Sequence, residues 1–226
     1  MFPRYPKYKN SGIEWLGEIP EGWKTLECKF GYSIQLGKML QNESQTVDDE
    51  KAPYLKALNV QWENVDTYDL PEMWASLKDF EKYSVKDGDL LVCEGGEVGR
   101  AGIILNTPIK CIIQNALHRV RPKKGNSSKY LMYLLEVASF QGWFDILCNK
   151  ATIAHFTGDK FGCFLITLPP IDEQKSIASF LDRDTKRIDT IIEKVKTSIE
   201  KLREYRTALI SAAVTGKIDV REEDAR

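Results

Sequence analysis

Apolar residues recur at every seventh position toward the end of the chain: Leu181, Ile188, Val195, Leu202 and Leu209. A second series, Ile191, Tyr205 and Ala212, follows three residues behind. Asp184 and Ser198 are its polar members, and Ile192 and Ile199 widen the stripe. A heptad repeat sustained over about four turns of the pattern predicts a coiled coil, because a 3.5-residue period keeps one seam facing a partner helix. No Gly or Pro interrupts Ile171 to Val214, and Gly216 supplies a stop. Pro169 and Pro170 end the preceding segment, and Asp172 is the expected N-cap. The run Asp182-Arg183-Asp184-Thr185 predicts a break, giving a short helix followed by a long one. From Asp184 to Val214 the rod would be about 45 Å long. That length favours pairing with a second copy of the chain over packing on the chain's own body, which is the alternative.

Upstream the pattern changes to short apolar runs separated by turns. Pro53 to Leu58, Leu90 to Cys93, Ala101 to Leu105, Cys111 to Ile113 and Leu117 to Val120 read as strands. Asp87-Gly88 and the glycine-rich Glu94 to Gly99 read as turns. One helix is expected over Lys129 to Trp143, where Leu131, Leu134, Leu135 and Ala138 keep helical spacing. The first 23 residues, rich in Pro, Gly and Trp, read as an irregular arm anchored by Trp15 and Trp23. The fold class expected is a mixed α+β body with many short strands over 1–170, a helical region over 171–216 and a tail over 217–226.

Charge alters this picture only locally. The chain has 226 residues, 32 basic against 33 acidic, for a net charge of −1. Yet Val98 to Leu135 contains no acid, while it holds Arg100, Lys110, His118, Arg119, Arg121, Lys123, Lys124 and Lys129. A cationic block inside a neutral protein suits phosphate binding, since affinity scales with the phosphates neutralised. For Lys123-Lys124-Gly125 alone a solvated loop is the favoured reading, whereas the whole block favours nucleic acid. Base reading asks for bidentate side chains such as Arg, Asn or Gln. The candidates are Asn59 and Gln61 after a strand, Gln114, Asn115 and Arg119 within the block, and Asn149, Lys150 and His155 after the central helix.

The remaining chemistry is mostly exclusion. Five cysteines, none spaced as Cys-x-x-Cys, argue against a zinc site or a disulfide framework and for free thiols. There is no P-loop, no dinucleotide fingerprint and no Asp/Asn-Pro-Pro-aromatic motif of an amino-methyltransferase. Two histidines leave little scope for a triad or a metal cluster. Carboxylate-x-Lys pairs such as Glu27 with Lys29 and Asp49 with Lys51 arise by chance in any charged chain. No segment reads as a signal peptide or membrane span, so a cytoplasmic location is expected.

Several stretches, taken in order, resemble the specificity (S) subunits of type I restriction–modification enzymes. They are Tyr8 to Trp23, Asp87-Gly88-Asp89-Leu90-Leu91-Val92 with Gly95 and Gly99, Gln114 to Pro122, Leu168 to Gln174, and Leu202 to Gly216. The resemblance implies a target-recognition domain over 1–170 that reads one half of an interrupted site in double-stranded DNA. It implies a spacer helix over 171–216 that pairs antiparallel and sets the gap between the halves. It also implies modification subunits that carry S-adenosylmethionine, and a restriction subunit that uses ATP and Mg²⁺. This chain itself would be non-catalytic and bind no cofactor. Family members carry two recognition domains and two spacer helices, whereas the entry motif appears here once. Two copies joined through the heptad helix would rebuild the whole. The alternative is a coiled-coil scaffold without DNA specificity of its own.

Overall fold

The computed structural model describes residues 3–148 and 155–221. By its internal contacts the chain divides into two units, Met1–Ala178 and Ser179–Arg226.

The first unit opens with a hairpin, β1 (Tyr8–Asn10) paired antiparallel with β2 (Glu18–Pro20), where an irregular arm was expected. The intervening turn closes on itself: Asn10 Oδ1 and Ser11 Oγ accept from Gly12 N and Ile13 N, which gives these residues a local alternative to open coil. Its aromatics do anchor it. Trp15 stacks on Phe164 at 6.4 Å between ring centroids, and Trp23 meets Tyr130 edge-on at 6.3 Å. Next come β3 (Lys24–Glu27), the single turn α1 (Cys28–Gly31) and β4 (Tyr32–Leu36).

Strand β5 (Glu50–Leu55) stops earlier than the apolar run Pro53 to Leu58 suggests, because Ala57–Asn59 tightens into a 3₁₀ turn. The short β6 (Glu63–Asn64), β7 (Glu72–Ala75) and α2 (Leu77–Tyr83) follow. Ser76 and Asp79 cap α2 reciprocally, a capping box that fixes its start. Then come β8 (Leu90–Cys93), β9 (Ala101–Ile103), β10 (Ile112–Ile113) and β11 (Leu117–Pro122). Helix α3 (Ser128–Phe140) is capped by Ser127 and buries Leu131, Leu134, Leu135 and Ala138. Gly142 in the left-handed region separates it from α4 (Trp143–Leu147). The unit closes with α5 (Gly158–Cys163) and β12 (Leu165–Leu168), which pairs with β3.

The main sheet runs β4-β11-β8-β9-β6, antiparallel except for β6 beside β9. A second sheet runs β10-β5-β7. Leu91, Cys93, Ile104, Leu117, Ile113 and Leu55 form the core between them. All four residues of β8 are buried, as expected for a strand covered on both faces. Cys28, Cys93, Cys111 and Cys148 are buried free thiols, and Cys163 is an exposed one. Among the described residues no helix is long and apolar enough to cross a membrane.

The last helix, α6 (Ile171–Val214), is unbroken through Asp182 to Thr185, against the expected break. Polar groups there find partners without leaving the helix: Thr185 Oγ1 donates to Leu181 O at 2.7 Å, and Arg183 Nε to Asp184 Oδ1 at 2.9 Å. Asp172 lies inside the first turn and not at the N-cap, where its charge still complements the helix dipole. The first two turns belong to the body through buried Gln174 and Ala178, so the unit boundary lies beyond residue 170. At the other end Gly216 is left-handed, with Gly216 N on Ala213 O and Lys217 N on Ala212 O, a Schellman stop. Within Ser179–Arg226 the heptad seam is uncovered: Ile188, Val195 and Leu202 are 55%, 51% and 66% exposed. Ile191, Ile199, Tyr205 and Leu209 are also exposed, and Leu181 and Ala212 are half-buried.

Candidate nucleic-acid interface

Much of the cationic block is engaged inside the protein. Arg121 makes a two-pronged pair with buried Asp89, Nε to Oδ1 at 2.7 Å and Nη2 to Oδ2 at 2.8 Å, which raises its pKa above the ordinary arginine value. Arg119 donates to the carbonyl of Ser84, and burial lowers its pKa. Arg100 spans two loops, Nη1 on Glu97 Oε2 at 2.7 Å and Nη2 on Ala57 O at 3.0 Å. Lys110 pairs with Glu50, and Lys123 Nζ donates to Lys29 O at 2.6 Å. Lys124, exposed in a left-handed turn with Gly125, has no side-chain partner among the described residues. The block is therefore a set of braces with Lys124 left over, rather than a continuous cationic stripe.

The two histidines divide. His118 is wholly buried, its Nε2 2.7 Å from Phe156 O and its ring edge-on to Phe161. It cannot touch a nucleic acid, which corrects the expectation for this residue. Burial holds its pKa below the ordinary value of 6.5. His155 is exposed, with Nδ1 3.0 Å from Glu94 Oε2. Asn149 and Lys150 lie outside the described residues.

The amides converge on one end of the main sheet. There β4 finishes at Leu36, β8 at Cys93 and β5 at Leu55, while β9 and β11 begin. The loops are laced together: Lys38 N donates to Ile113 O at 2.8 Å, Gln114 N to Leu55 O at 2.9 Å, Asn115 N to Lys38 O at 2.9 Å and Glu94 N to Ala116 O at 2.9 Å. Gly37 permits the closest approach, since a Cβ there would collide with the backbone of Ile113 and Gln114. Asn59, Gln61, Arg100, Gln114, Asn115 and His155 thus share one end, whereas Lys110, Arg121, Lys123 and Lys124 do not belong to it.

Asn59 is buried, and its Oδ1 caps its own turn by accepting from Lys56 N at 3.1 Å. Gln61 Nε2 donates to Leu58 O at 3.1 Å. A further group was missed in the sequence. Lys38 Nζ bridges Asp79 at 3.0 Å and Gln41 at 2.8 Å, and Gln41 bonds Asp49 at 2.9 Å, bracing the loop between β4 and β5. Its members are scattered along the chain, so no spacing marks them; only the capping box at Ser76 and Asp79 is readable beforehand.

Residues 20–201 match the family model described as the type I restriction modification DNA specificity domain. The chain belongs to this family. The specificity domain is 26% identical over 207 residues to the type I restriction enzyme StySPI specificity subunit of Salmonella potsdam, covering 89% of this chain and 44% of that protein. It is 25% identical to the EcoKI specificity subunit of Escherichia coli K12, with the same coverage of each. The fold matches a chain in a structure reported for complex assembly and conformational transition of the type I R-M system, with a TM-score of 0.68 at 16% identity, over 91% of this chain and 48% of that one. The HsdS subunit from Thermoanaerobacter tengcongensis matches with a TM-score of 0.54 at 15% identity, over 81% and 41%. The chain thus spans less than half the length of these relatives.

The motifs that suggested the family have structural jobs in this specificity domain. Asp87 to Val92 is the turn and strand that place Asp89 under Arg121. Leu168 to Gln174 anchors the start of α6: Gln174, 1% exposed, accepts from Ser127 N at 2.9 Å and donates to Pro169 O at 2.9 Å and Asn126 Oδ1 at 3.1 Å. The entry segment reaches the same joint, where Trp23 Nε1 donates to Glu173 Oε1 at 3.1 Å.

Proposed function

We propose that this chain is a non-catalytic DNA-recognition subunit of a type I restriction–modification enzyme. It reads one half of an interrupted duplex site and works as a homodimer joined through α6. The observation that carries the DNA-reading role is the match to a DNA specificity domain across residues 20–201. The dimer is supported by the uncovered heptad seam, since fully burying each Leu, Ile or Val is worth roughly 1.5–3 kcal/mol. Modification subunits supply S-adenosylmethionine and the methyl transfer, and a restriction subunit supplies ATP- and Mg²⁺-dependent cleavage. A two-fold dimer presents the same reading surface twice, so its target is an interrupted palindrome. Of the residues considered, Gln114, Asn115, Gln61 and His155 stand at the reading end, and Lys124 is a phosphate contact.

The test combines mass and selection. Light scattering on the purified chain is expected to give about twice 25.8 kDa, and Val195→Asp with Leu202→Asp to give one chain. Selection from a random duplex pool is expected to return a two-part palindrome for the wild type and no two-part site for the double variant. A dimer that retains no duplex would instead identify a scaffold.

A further inference from the structure

At the reading end of the sheet, the chain makes a tight turn from Gln114 to Leu117, closed by Leu117 N on Gln114 O at 2.9 Å. The backbone ties of this turn reach three other segments. Gln114 N holds the end of β5, Asn115 N holds the residue after Gly37, and Ala116 O holds the glycine turn that follows β8. The backbone at 114–116 is therefore fixed from three sides.

The side-chain amides there differ from their neighbours in having no protein partner among the described residues. Gln41, Asn59 and Gln61 spend their amides on neighbouring protein groups. The amides of Gln114 and Asn115 have no hydrogen-bond partner among the described residues, and neither is a buried orphan. Both are half-buried, with part of each residue open to solvent. Nearby acids have partners: Glu97 is paired with Arg100 at 2.7 Å, and Glu94 Oε2 lies 3.0 Å from Nδ1 of the His155 ring. Gly95 and Gly96 add backbone without side chains beside them. A rigid turn presenting two free amides has the donor–acceptor pair that matches the major-groove edge of adenine, where N7 accepts and the N6 amine donates. Rigid placement lowers the ordering cost of such a contact.

We infer that Gln114 and Asn115 are specificity-determining residues that read an adenine in each DNA half-site through their side-chain amides. This rests on the DNA-reading function proposed above. Lys38, Gly37 and the Glu94–Gly99 turn are positioning groups for them.

The test is selection from a random duplex pool with the full-length wild type and with Gln114→Ala, Asn115→Ala and the double variant, followed by binding to the selected site. The wild type is expected to hold an adenine at one position of each half. The double variant is expected to lose that preference alone, with affinity for the selected site falling about tenfold or more. Affinity for unrelated duplex, and its salt dependence, should stay unchanged, because the phosphate contacts remain. Replacing the selected adenine by 7-deazaadenine removes the N7 acceptor. It should weaken the wild type and leave the double variant unaffected, a coupling that mere loosening of the turn does not produce. If the wild type selects a site and the double variant selects the same site, the inference fails while DNA reading stands. If the wild type selects no sequence, both fail.

Discussion

At the scale of single residues, the chain's two histidines show how little the residue type decides. His118 lies in β11, a strand with neighbours on both edges and buried positions on both faces, so the usual alternation does not sort inward from outward side chains. Its position between basic residues suggested a surface contact, but its ring is core. The same strand turns Arg119 and Arg121 into braces, because Ser84 and Asp89 wait on adjacent backbone. Those partners are distant in sequence, which is why the cationic block was legible as charge and not as structure. The burial of His118 has a testable consequence. Burial lowers its folded-state pKa below 6.5, opposed only in part by the Phe156 carbonyl and the Glu94 carboxylate. Between the folded and unfolded pKa the unfolded chain binds more protons, so stability rises with pH there. This contribution is fully present above about pH 6.5 and is lost as pH falls toward the folded-state value. Thermal unfolding followed by circular dichroism should show the midpoint dropping between about pH 7.5 and 5. His118→Gln, which keeps a donor for Phe156, should flatten that drop. Equal pH slopes in the two proteins would remove His118 as its source.

At the scale of elements, what was readable depended on length and continuity. Leu90–Cys93, Leu117–Pro122 and Ser128–Phe140 stand close to their expected bounds, because long apolar runs and helical spacing dominate local choices. The hairpin at Tyr8–Asn10 and the early end of β5 were hidden, since each is decided by a few hydrogen bonds rather than by pattern. The continuity of α6 through Asp182–Thr185 is a third case: low helix propensity over four residues does not overcome the helical turns on both sides. Gly37 is the element-scale residue that matters most to the reading end. It lets the exit of β4 lie against the turn at Gln114, and the atoms a Cβ would strike are backbone, which cannot swing aside. Gly37→Ala should therefore cost about 1–3 kcal/mol in urea unfolding. Gly22→Ala, where a Cβ meets nothing within 4 Å, should stay within about 0.5 kcal/mol. A neutral Gly37→Ala would mean that the two loops can separate freely, and the turn would lose its claim to rigidity.

At the scale of the whole molecule, the heptad pattern was the most legible feature, and it carries the most specific expectation about the target. A seam with Leu, Ile and Val at every seventh residue is kept intact by a step of seven, which returns each residue to its own seam position. Duplicating Val195–Lys201 preserves the seam and lengthens each helix by about 10 Å. In an antiparallel pair that overlaps along α6, both insertions fall in the shared rod, so the rod grows by that amount once. This equals the rise of about three base pairs. The selected palindrome should then keep both halves unchanged and gain about three base pairs between them. An insertion of two residues should instead break the seam and return the chain to monomer mass, since it rotates everything beyond it by about 200°, off the interface. If the heptad insertion leaves the gap unchanged while the protein remains a dimer, α6 joins the subunits without measuring the DNA. The spacing would then have to be set by something other than α6.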